Sequence, residues 1–373
     1  MPVAKVTSLV TPQVLVDNRR VHANIMRMQS AASSRGIRLR PHAKTHKIPQ
    51  IAQLQVQRGA SGICCAKVGE AEVFAAAGLH DIRLAYPVHP VNAPRILALM
   101  QQAHVSLIVD DLDVARGWSD AMVAAHRTLD VLVKVDVGFH RCGIDPESRT
   151  AVDIVRAVGD LPGVHLQGLL SHAGHGYVAA SEKALRDIAR REREWLIELA
   201  ERAELAAPEI SVGATPTARF SVELDGVTEL RPGNYVYFDR TQVGLGAARV
   251  ADCALTVLAR VVSRPAPDRV ILDCGSKTLS SDGARGFSKA EGYGAIFTDL
   301  ESDELDESLI VERLSEEHAT VRTTGRCQLR TGDLARVLPN HSCVVSNLVD
   351  YVQLVEGLDV LETLRVEARG KIN

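Results

Sequence analysis

The chain has 373 residues, 46% of them apolar and 24% charged, and its formal net charge is −3. This composition is typical of a globular enzyme, and the length allows a large α/β domain and a smaller second domain. No basic stripe for nucleic acid and no apolar run near the roughly 18–20 residues that span a bilayer is present, so neither partner is expected. Residues 1–5 lack a signal-peptide hydrophobic region, and the seven cysteines show no paired spacing. We therefore expect a cytoplasmic protein.

Short β-rich runs alternate with amphipathic segments over residues 12–250. Eight strands alternating with helices predict a parallel (β/α)8 TIM barrel. A doubly wound sheet is the weaker alternative, because no G-x-G-x-x-G follows the first strand. After residue 250 the pattern changes to β segments separated by turns, which predicts a C-terminal β domain over 251–373, completed by residues 1–11. The eight predicted barrel strands are 14–16, 37–39, 62–64, 82–85, 105–109, 131–135, 166–170 and 209–212.

A basic cluster, R-P-H-A-K-T-H-K at residues 40–47, follows the second predicted strand. Pro41 disfavours helix at Arg40, so the cluster lies at the carboxyl end of that strand, where barrels place their chemistry. Lys44 is crowded by Lys47 and two histidines, and neighbouring positive charge with partial burial lowers a lysine's pKa. A lowered pKa is what an imine-forming lysine needs. The alternative, from these residues alone, is a solvated basic loop.

This cluster resembles the cofactor-lysine motif of the fold-type III pyridoxal-phosphate enzymes related to D-threonine aldolase and eukaryotic-type D-serine dehydratase, which are distant relatives of alanine racemase. The resemblance spans nearly the whole chain, with the motifs in the family's order. It implies a barrel followed by a β domain, with pyridoxal 5'-phosphate joined to Lys44. It also implies a homodimer whose active site lies between the barrel of one subunit and the β domain of the other.

The segment 135–143, V-D-V-G-F-H-R-C-G, ends a strong strand pattern and places polar groups at the same rim. It resembles the family's V-D-x-G-x-x-R-C-G segment, and the resemblance implies that Arg141 faces the cofactor's pyridine nitrogen. Arginine cannot accept a proton and would disfavour protonation of the pyridine. Without the resemblance, Arg141 is equally well a structural salt-bridge residue.

The segment 171–177, S-H-A-G-H-G-Y, follows the next strand and is rich in groups suited to proton transfer. It resembles the H-x-G-x-x-Y segment of the dehydratase branch. The resemblance implies that His172 and His175 are acid/base groups and that Tyr177 hydrogen-bonds with the cofactor. The alternative is a glycine-rich loop with incidental histidines.

Small residues follow the predicted strand 209–212, and such a turn lets backbone N–H groups approach an anion. The segments of the family that match this turn and the later G-x-Y-x-x-x-D run hold the cofactor phosphate. The resemblance therefore implies that Gly213, Thr215 and Tyr235 contact the phosphate.

The run P-N-H-S-C at 339–343 is a candidate metal site. If it is a strand, residues i and i+2 share a face, and His341 and Cys343 could bind one metal such as zinc. Two ligands do not establish a metal site by spacing alone. The family has a metal here, held through H-x-C in dehydratases and H-x-D in aldolases. The resemblance implies that His341 and Cys343 bind a divalent metal (zinc, manganese or magnesium) that polarises the substrate's 3-hydroxyl.

These motifs predict a metal-assisted lyase that acts on 3-hydroxy-D-amino acids. The first hypothesis is D-threonine aldolase-type cleavage to glycine and an aldehyde. The alternative is elimination of water, as in D-serine or D-threo-3-hydroxyaspartate dehydratases, because H-x-C and the 171–177 loop favour that branch. An amino-acid racemase and a non-catalytic pyridoxal-phosphate carrier are less favoured, since the metal motif and the large C-terminal domain argue against them.

Overall fold

The computed structural model describes residues 4–287, 290–325 and 327–373, so residues 1–3 of the predicted N-terminal segment lie outside it. The described α-helices are α1 (Asn18–Ser33), α2 (Pro49–Gln57), α3 (Val68–Ala76), α4 (Ala93–Leu99), α5 (Leu112–Ala124), α6 (Ala151–Gly159), α7 (Glu182–Arg202), α8 (Thr215–Ser221), α9 (Arg240–Gly244), α10 (Ser276–Leu279) and α11 (Ser342–Leu348). The described strands are β1 (Gln13–Asp17), β2 (Arg38–Leu39), β3 (Ile63–Cys65), β4 (Asp81–Pro87), β5 (His104–Val109), β6 (Leu129–Lys134), β7 (Val164–Leu170), β8 (Glu209–Val212), β9 (Glu229–Leu230), β10 (Leu255–Ala266), β11 (Arg269–Leu272), β12 (Ala295–Phe297), β13 (Leu305–Leu314), β14 (Ala319–Thr323), β15 (Leu334–Leu338), β16 (Tyr351–Glu356) and β17 (Asp359–Arg365).

Eight strands form the predicted barrel. Their order is β2-β9-β8-β7-β6-β5-β4-β3, and every neighbouring pair is parallel. A parallel bridge between His42 and Cys64, with the Cys64 amide donating to the Pro41 carbonyl at 2.7 Å, joins the two ends of this sheet. The intervening helices cover its outside, as crossovers between parallel strands require. The barrel prediction is therefore confirmed.

The first predicted barrel strand was wrong. Residues 14–16 lie in β1, which pairs antiparallel with β10 and parallel with β16 in the second sheet. Val14, Leu15 and Val16 are all buried, and a continuous apolar run fits a strand covered on both faces in either sheet. The eighth barrel strand is instead β9, whose two residues are too few to give a periodic pattern.

The second sheet has nine strands, in the order β11-β14-β13-β12-β15-β10-β1-β16-β17, and its pairs are antiparallel except for β1 with β16. Residues 4–6, which precede β1, hydrogen-bond with the edge of this sheet, at β17 and at the turn before it. The Val6 amide donates to the Leu358 carbonyl, and the Val360 amide donates to the Ala4 carbonyl, both at 2.8 Å. Within the described ranges, no helix is long and apolar enough to cross a membrane.

Glu229 is the centre of a buried charge network inside the barrel. Its carboxylate accepts hydrogen bonds from Arg83 Nη1 at 2.5 Å, Arg40 Nε at 2.8 Å and Ser211 Oγ at 2.6 Å. Burial alone would raise the pKa of Glu229, but the charges of Arg83 and Arg40 outweigh it and lower that pKa to about 2. The network ties β2, β4, β8 and β9 together across the interior.

Replacing Glu229 with alanine should destabilise the fold strongly. The substitution leaves Arg83 uncompensated on one side and deprives Arg40 of a partner, and breaking such a buried pair costs about 3–5 kcal/mol. Urea denaturation of the holoenzyme measures the loss. Glu198→Ala is the control, because Glu198 is exposed on α7. Equal unfolding midpoints for the two variants would contradict a stabilising role for the network.

Candidate active site

Lys44 lies in a short 3-10 helix, Ala43–Thr45, at the carboxyl end of β2. The backbone turns because Pro41 ends the strand and the His42 ring accepts the Lys44 amide at 3.4 Å. Gly233 lies against this turn: a Cβ at residue 233 would be 3.0 Å from Thr45 Oγ1 and 3.1 Å from His42 Cβ. Any larger residue at position 233 would therefore force His42 or Thr45, the residues on either side of Ala43–Lys44, to shift.

Lys44 opens into a cavity of about 480 Å³ between the barrel rim and the C-terminal sheet. This volume suits a cofactor or small-molecule ligand. The predicted site residues that line it come from both parts of the chain, so the fold brings together motifs almost 300 residues apart. They are Lys44, Arg141, His172, Tyr177, Thr215, His341 and Cys343.

Three predicted site residues do not line the cavity. The Tyr235 side chain is buried, and its hydroxyl accepts a hydrogen bond from Gln55 at 2.9 Å. His175 is half-buried over the turn at Gly138, where its ring lies 3.8 Å from the position of an added Cβ. Gly213 reaches the site only through its carbonyl, which accepts from His172 Nδ1 at 2.6 Å. The geometry does not support direct roles for the Tyr235 and His175 side chains.

Lys44 and His172 are both biased towards their neutral forms. Burial lowers the pKa of Lys44, and the nearby Arg141 charge lowers it further, while Cys343 opposes the shift. Burial, then the charges of Lys44 and Lys134, hold the pKa of His172 well below its usual range. Since a carbonyl only accepts, His172 Nδ1 carries the proton shared with Gly213, and Nε2 is left with its lone pair. His172 is therefore available as a proton acceptor.

His341 and Cys343 lie together, but not in a strand. His341 is the N-cap of α11 and Cys343 lies in its first turn, so the predicted strand geometry was wrong. The helix begins here because the Asp239 carboxylate accepts the Ser342 amide at 3.0 Å. Cys343 Sγ is 3.2 Å from Thr45 Oγ1, one residue from the predicted cofactor lysine.

The two metal-ligand candidates stabilise each other's charged forms. Burial alone would lower the pKa of His341 and raise that of Cys343. Burial is the largest single influence on each group, but the attraction between the two side chains, together with Asp239 and Asp282 for His341 and Thr45 for Cys343, outweighs it, so the pKa of His341 rises to about 10 and that of Cys343 falls. A thiolate with an adjacent imidazole is a donor set that suits a borderline metal ion. The described residues contain no group of three or more His, Cys, Asp or Glu side chains placed to hold a metal, so this chain offers two ligands here.

Lys134, Arg231 and Glu192 lie in or beside the site but were not predicted as site residues from the sequence. Lys134 lines the cavity at the end of β6, where burial and the charge of Arg231 lower its pKa to about 7. Arg231 follows β9 and donates to Ser211 Oγ at 2.7 Å and to the Ser171 carbonyl. The R-P-G-N-Y run that begins at Arg231 was a usable signal, but it could be placed at the rim only once the short strand β9 was recognised.

The cavity wall fits a phosphorylated cofactor. The Thr215 hydroxyl is buried beside the Tyr177 hydroxyl, and none of the described residues hydrogen-bonds with it in good geometry. Buried hydroxyls are normally satisfied, so this one has room for an external acceptor such as a phosphate oxygen. Arg231 supplies positive charge on the same wall. The lysine with a lowered pKa suits a carbonyl group, and the buried hydroxyl and guanidinium suit a phosphate. Together they fit a cofactor that carries both a carbonyl and a phosphate ester.

A parallel (β/α)8 barrel joined to an antiparallel sheet, with a lysine-centred cavity between them, defines the alanine-racemase-like class of protein. The family model "Alanine racemase, N-terminal domain" matches residues 16–241, and "Putative serine dehydratase domain" matches residues 254–355. The chain belongs to this family, in the group that includes D-threonine aldolase and D-serine dehydratase. Members of this group are pyridoxal-phosphate enzymes.

Two relatives represent the two reaction branches. The chain is 34% identical to D-threo-3-hydroxyaspartate dehydratase of Delftia sp. (strain HT23), over 90% of this chain and 91% of that protein. It is 35% identical to a D-threonine aldolase of Arthrobacter sp., over 99% of this chain and 94% of that protein. Overall sequence identity therefore does not separate the branches.

Solved structures give the same result. The Delftia dehydratase superposes with a TM-score of 0.90 at 32% identity, covering 97% of this chain and 98% of that chain. D-threonine aldolase from Filomicrobium marinum superposes with a TM-score of 0.89 at 28% identity, covering 100% and 99%. A cysteine-to-alanine mutant of the dehydratase is described as its metal-free form, which implies that this relative uses a metal.

Ser171→Ala should destabilise the loop that carries His172. Ser171 Oγ donates to Glu192 at 2.6 Å, and the other Glu192 oxygen has no partner among the described residues. Losing the hydroxyl leaves a buried carboxyl unsatisfied, at a cost of about 1–3 kcal/mol in the free energy of unfolding. The double variant Ser171→Ala/Glu192→Met should recover part of that loss in chemical denaturation. A double variant as unstable as the sum of two separate losses would refute the pairing.

Proposed function

We propose that this protein is a pyridoxal-phosphate- and divalent-metal-dependent lyase that cleaves 3-hydroxy-D-amino acids to glycine and an aldehyde. The observation that carries the proposal is the convergence of three groups on one cavity: Lys44, the acceptor nitrogen of His172, and the His341–Cys343 pair. These are an amine, a base and a metal-ligand set, which are the parts that such a cleavage requires.

In this proposal Lys44 holds the cofactor and gives way to the substrate's amine. Its lowered pKa keeps a fraction of the side chain as the nucleophilic free amine. Thr215 and the backbone beside Gly213 would hold the phosphate, and Tyr177 and Arg141, which line the same cavity, would hydrogen-bond with the cofactor and face its pyridine ring, respectively. Bound pyridoxal phosphate supplies an electron sink for the bond broken at Cα.

His341 and Cys343 would hold the metal, which acts as a Lewis acid on the substrate's 3-hydroxyl. His172 Nε2 takes the hydroxyl proton, since Nδ1 is fixed by the Gly213 carbonyl. As that proton leaves, the Cα–Cβ bond would break and the hydroxyl carbon would become the aldehyde. Cα would then take up a proton, with Lys44 as the donor in the same cavity, to give glycine. Walls from the barrel rim and from α11 orient the substrate between the lysine and the metal ligands.

A dehydratase reaction is the second candidate, favoured by the position of Cys343. Cys343 Sγ lies 3.2 Å from the hydroxyl of Thr45, the residue that follows Lys44, so the amine and the proposed metal ligand belong to one small region of the cavity. In that reaction Lys44 removes the α-proton and the 3-hydroxyl departs as water, giving a 2-oxo acid and ammonia. The H-x-C ligand pair is the feature shared with that branch.

The chain organisation follows from the same proposal. We assign the barrel domain to residues 18–250 and the β domain to residues 251–373 together with the described residues before α1. The predicted boundary at residue 12 moves because β1 pairs with the second sheet. We propose a cytoplasmic homodimer in which the partner subunit closes the cavity mouth. Size-exclusion chromatography with light scattering tests the oligomeric state.

D-Threonine turnover distinguishes the two branches. With pyridoxal phosphate and Mn²⁺ or Zn²⁺ present, the purified protein should release glycine and acetaldehyde. EDTA should reduce the rate to background, and metal should restore it, because only the metal polarises the 3-hydroxyl. Product analysis by mass spectrometry reads the outcome. Release of 2-oxobutanoate and ammonia would assign the dehydratase branch, and a metal-independent change of configuration at Cα would assign racemisation.

Substitutions at Lys44 and Cys343 should fail in different ways. Lys44→Ala removes the amine that we propose bonds the cofactor, so the visible absorbance of the lysine-bound cofactor should vanish along with activity. Cys343→Ala should keep that absorbance and lose metal-dependent turnover by at least about 100-fold, as expected when a ligand is deleted. Cys327→Ala is a thiol control outside the cavity. Retained absorbance in Lys44→Ala would overturn the assignment of the cofactor lysine.

A further inference from the structure

The side chain of Asp282 makes a contact that no sequence motif predicted. Asp282 Oδ2 lies 2.5 Å from His341 Nδ1, and both side chains are about one-third exposed at the cavity wall. We propose that Asp282 is a positioning residue for the metal centre, which orients His341 and fixes the ring nitrogen that faces the metal. This inference rests on the proposed metal site, but it concerns metal affinity rather than the reaction.

Hydrogen-bond chemistry assigns the ring nitrogen. A carboxylate accepts and does not donate, so the proton of the His341 ring lies on Nδ1, between the ring and Asp282. With Nδ1 occupied by Asp282, Nε2 is the His341 ring nitrogen left for a metal. Cys343 lies two residues further on and lines the same cavity, so the two ligand atoms can share one metal there. A carboxylate on the distal nitrogen is the arrangement that orients metal-binding histidines in proteins generally.

Asp282 is itself held by the residue that precedes His341. Asn340 is fully buried, and its side-chain amide donates to the Asp282 carbonyl at 3.0 Å and to the Gly292 carbonyl at 2.9 Å. The Asp282 amide also donates to Ser280 Oγ at 3.2 Å. The loop and the ligand are thus fixed to each other on both sides of the Asp282–His341 contact. A chance surface contact would lack this second anchor.

The opposite side of the metal pair is held by a different carboxylate. Asp239 accepts the Ser342 amide and the Asn234 side chain, so it fixes the start of α11 and not the histidine ring. Removing Asp239 would disturb the helix itself. Among the described residues, the Asp282 side chain contacts only the His341 ring, so it can be changed without altering the N-terminal cap of α11. This difference makes Asp282 the residue whose substitution reports on ligand orientation.

Asp282 belongs to a loop of the cavity wall and also contacts the proposed metal ligand His341. Metal binding should therefore affect the stability of this loop. Gly283 and Arg285, which follow Asp282, line the same cavity as Lys44. If the Asp282 contact strengthens metal binding by a given factor, bound metal must strengthen that contact by the same factor. The metal would thereby stabilise the wall of the cavity near its mouth as well as act on the substrate.

The test measures the dissociation constants of Zn²⁺ and Mn²⁺ by competition with a chromophoric chelator, using metal-stripped holoenzyme that retains pyridoxal phosphate. Asp282→Asn and Asp282→Ala should each weaken metal binding about 10–100-fold, the usual effect of deleting an outer carboxylate. Asp282→Glu should recover part of the affinity. Glu307→Gln is the control. It removes one exposed negative charge from β13, away from the cavity, and should bind metal like the wild type.

Two further readouts separate orientation from folding. Each variant should keep the cofactor absorbance and should unfold near the wild-type urea midpoint in EDTA, because a partly exposed ion pair contributes little to folding by itself. Wild-type metal affinity in Asp282→Asn would overturn the inference even if the enzyme is an active lyase. Metal weakened as expected in a protein that cleaves no 3-hydroxy-D-amino acid would uphold the inference and refute the proposed function. A wild-type protein that binds neither metal would overturn both.

Discussion

The buried pairing of Glu229 with Arg83 and Arg40 is the constraint on which the site depends. β9 contributes only two residues to the barrel, so backbone hydrogen bonds alone hold it weakly, and the ion pairs fix its position against β2 and β4. The position of β9 in turn sets the positions of the cavity residues that follow it, such as Arg231 and Gly233. The pairing is weak evidence for net stability, since buried ion pairs are costly to desolvate. Its value here lies in the single register that it imposes.

The segment that begins at Glu229 connects the barrel interior with the proposed metal centre in eleven residues. Arg231 reaches the cavity wall, and Gly233 lets the chain touch the turn that carries Lys44. Asn234 and Asp239 then hold the start of α11, where Cys343 lies. A displacement of β9 would therefore move Lys44 and the His341–Cys343 pair relative to each other. That distance determines whether one substrate can reach both.

Apolar runs flanked by helix patterns predicted the barrel strands, and β9, which has no such run, was missed. Seven of the eight proposed barrel strands are in the barrel, because strands such as β5 and β6 have long apolar runs flanked by helices. Residues 14–16 have the same kind of run but pair elsewhere, since local pattern does not encode the partner strand. Glu229–Leu230 carries too little pattern to recognise. At the site, Lys44 and Cys343 were both predicted from the motif resemblance, and the fold places both on one cavity. The contacts of Asp282 and Glu192 depend on tertiary packing that no spacing reveals.

The helical position of Cys343 bears on what the metal can do. In a strand, His341 and Cys343 would be spaced along one face, and further ligands from the same sheet could complete a closed shell. At the start of α11 they converge instead on the cavity, and the described residues supply no third ligand. Structural metal sites are closed by four protein ligands, whereas catalytic sites keep positions open. A two-ligand centre that faces Lys44 therefore leaves room for the substrate's own oxygen, which favours a role in chemistry over a role in folding.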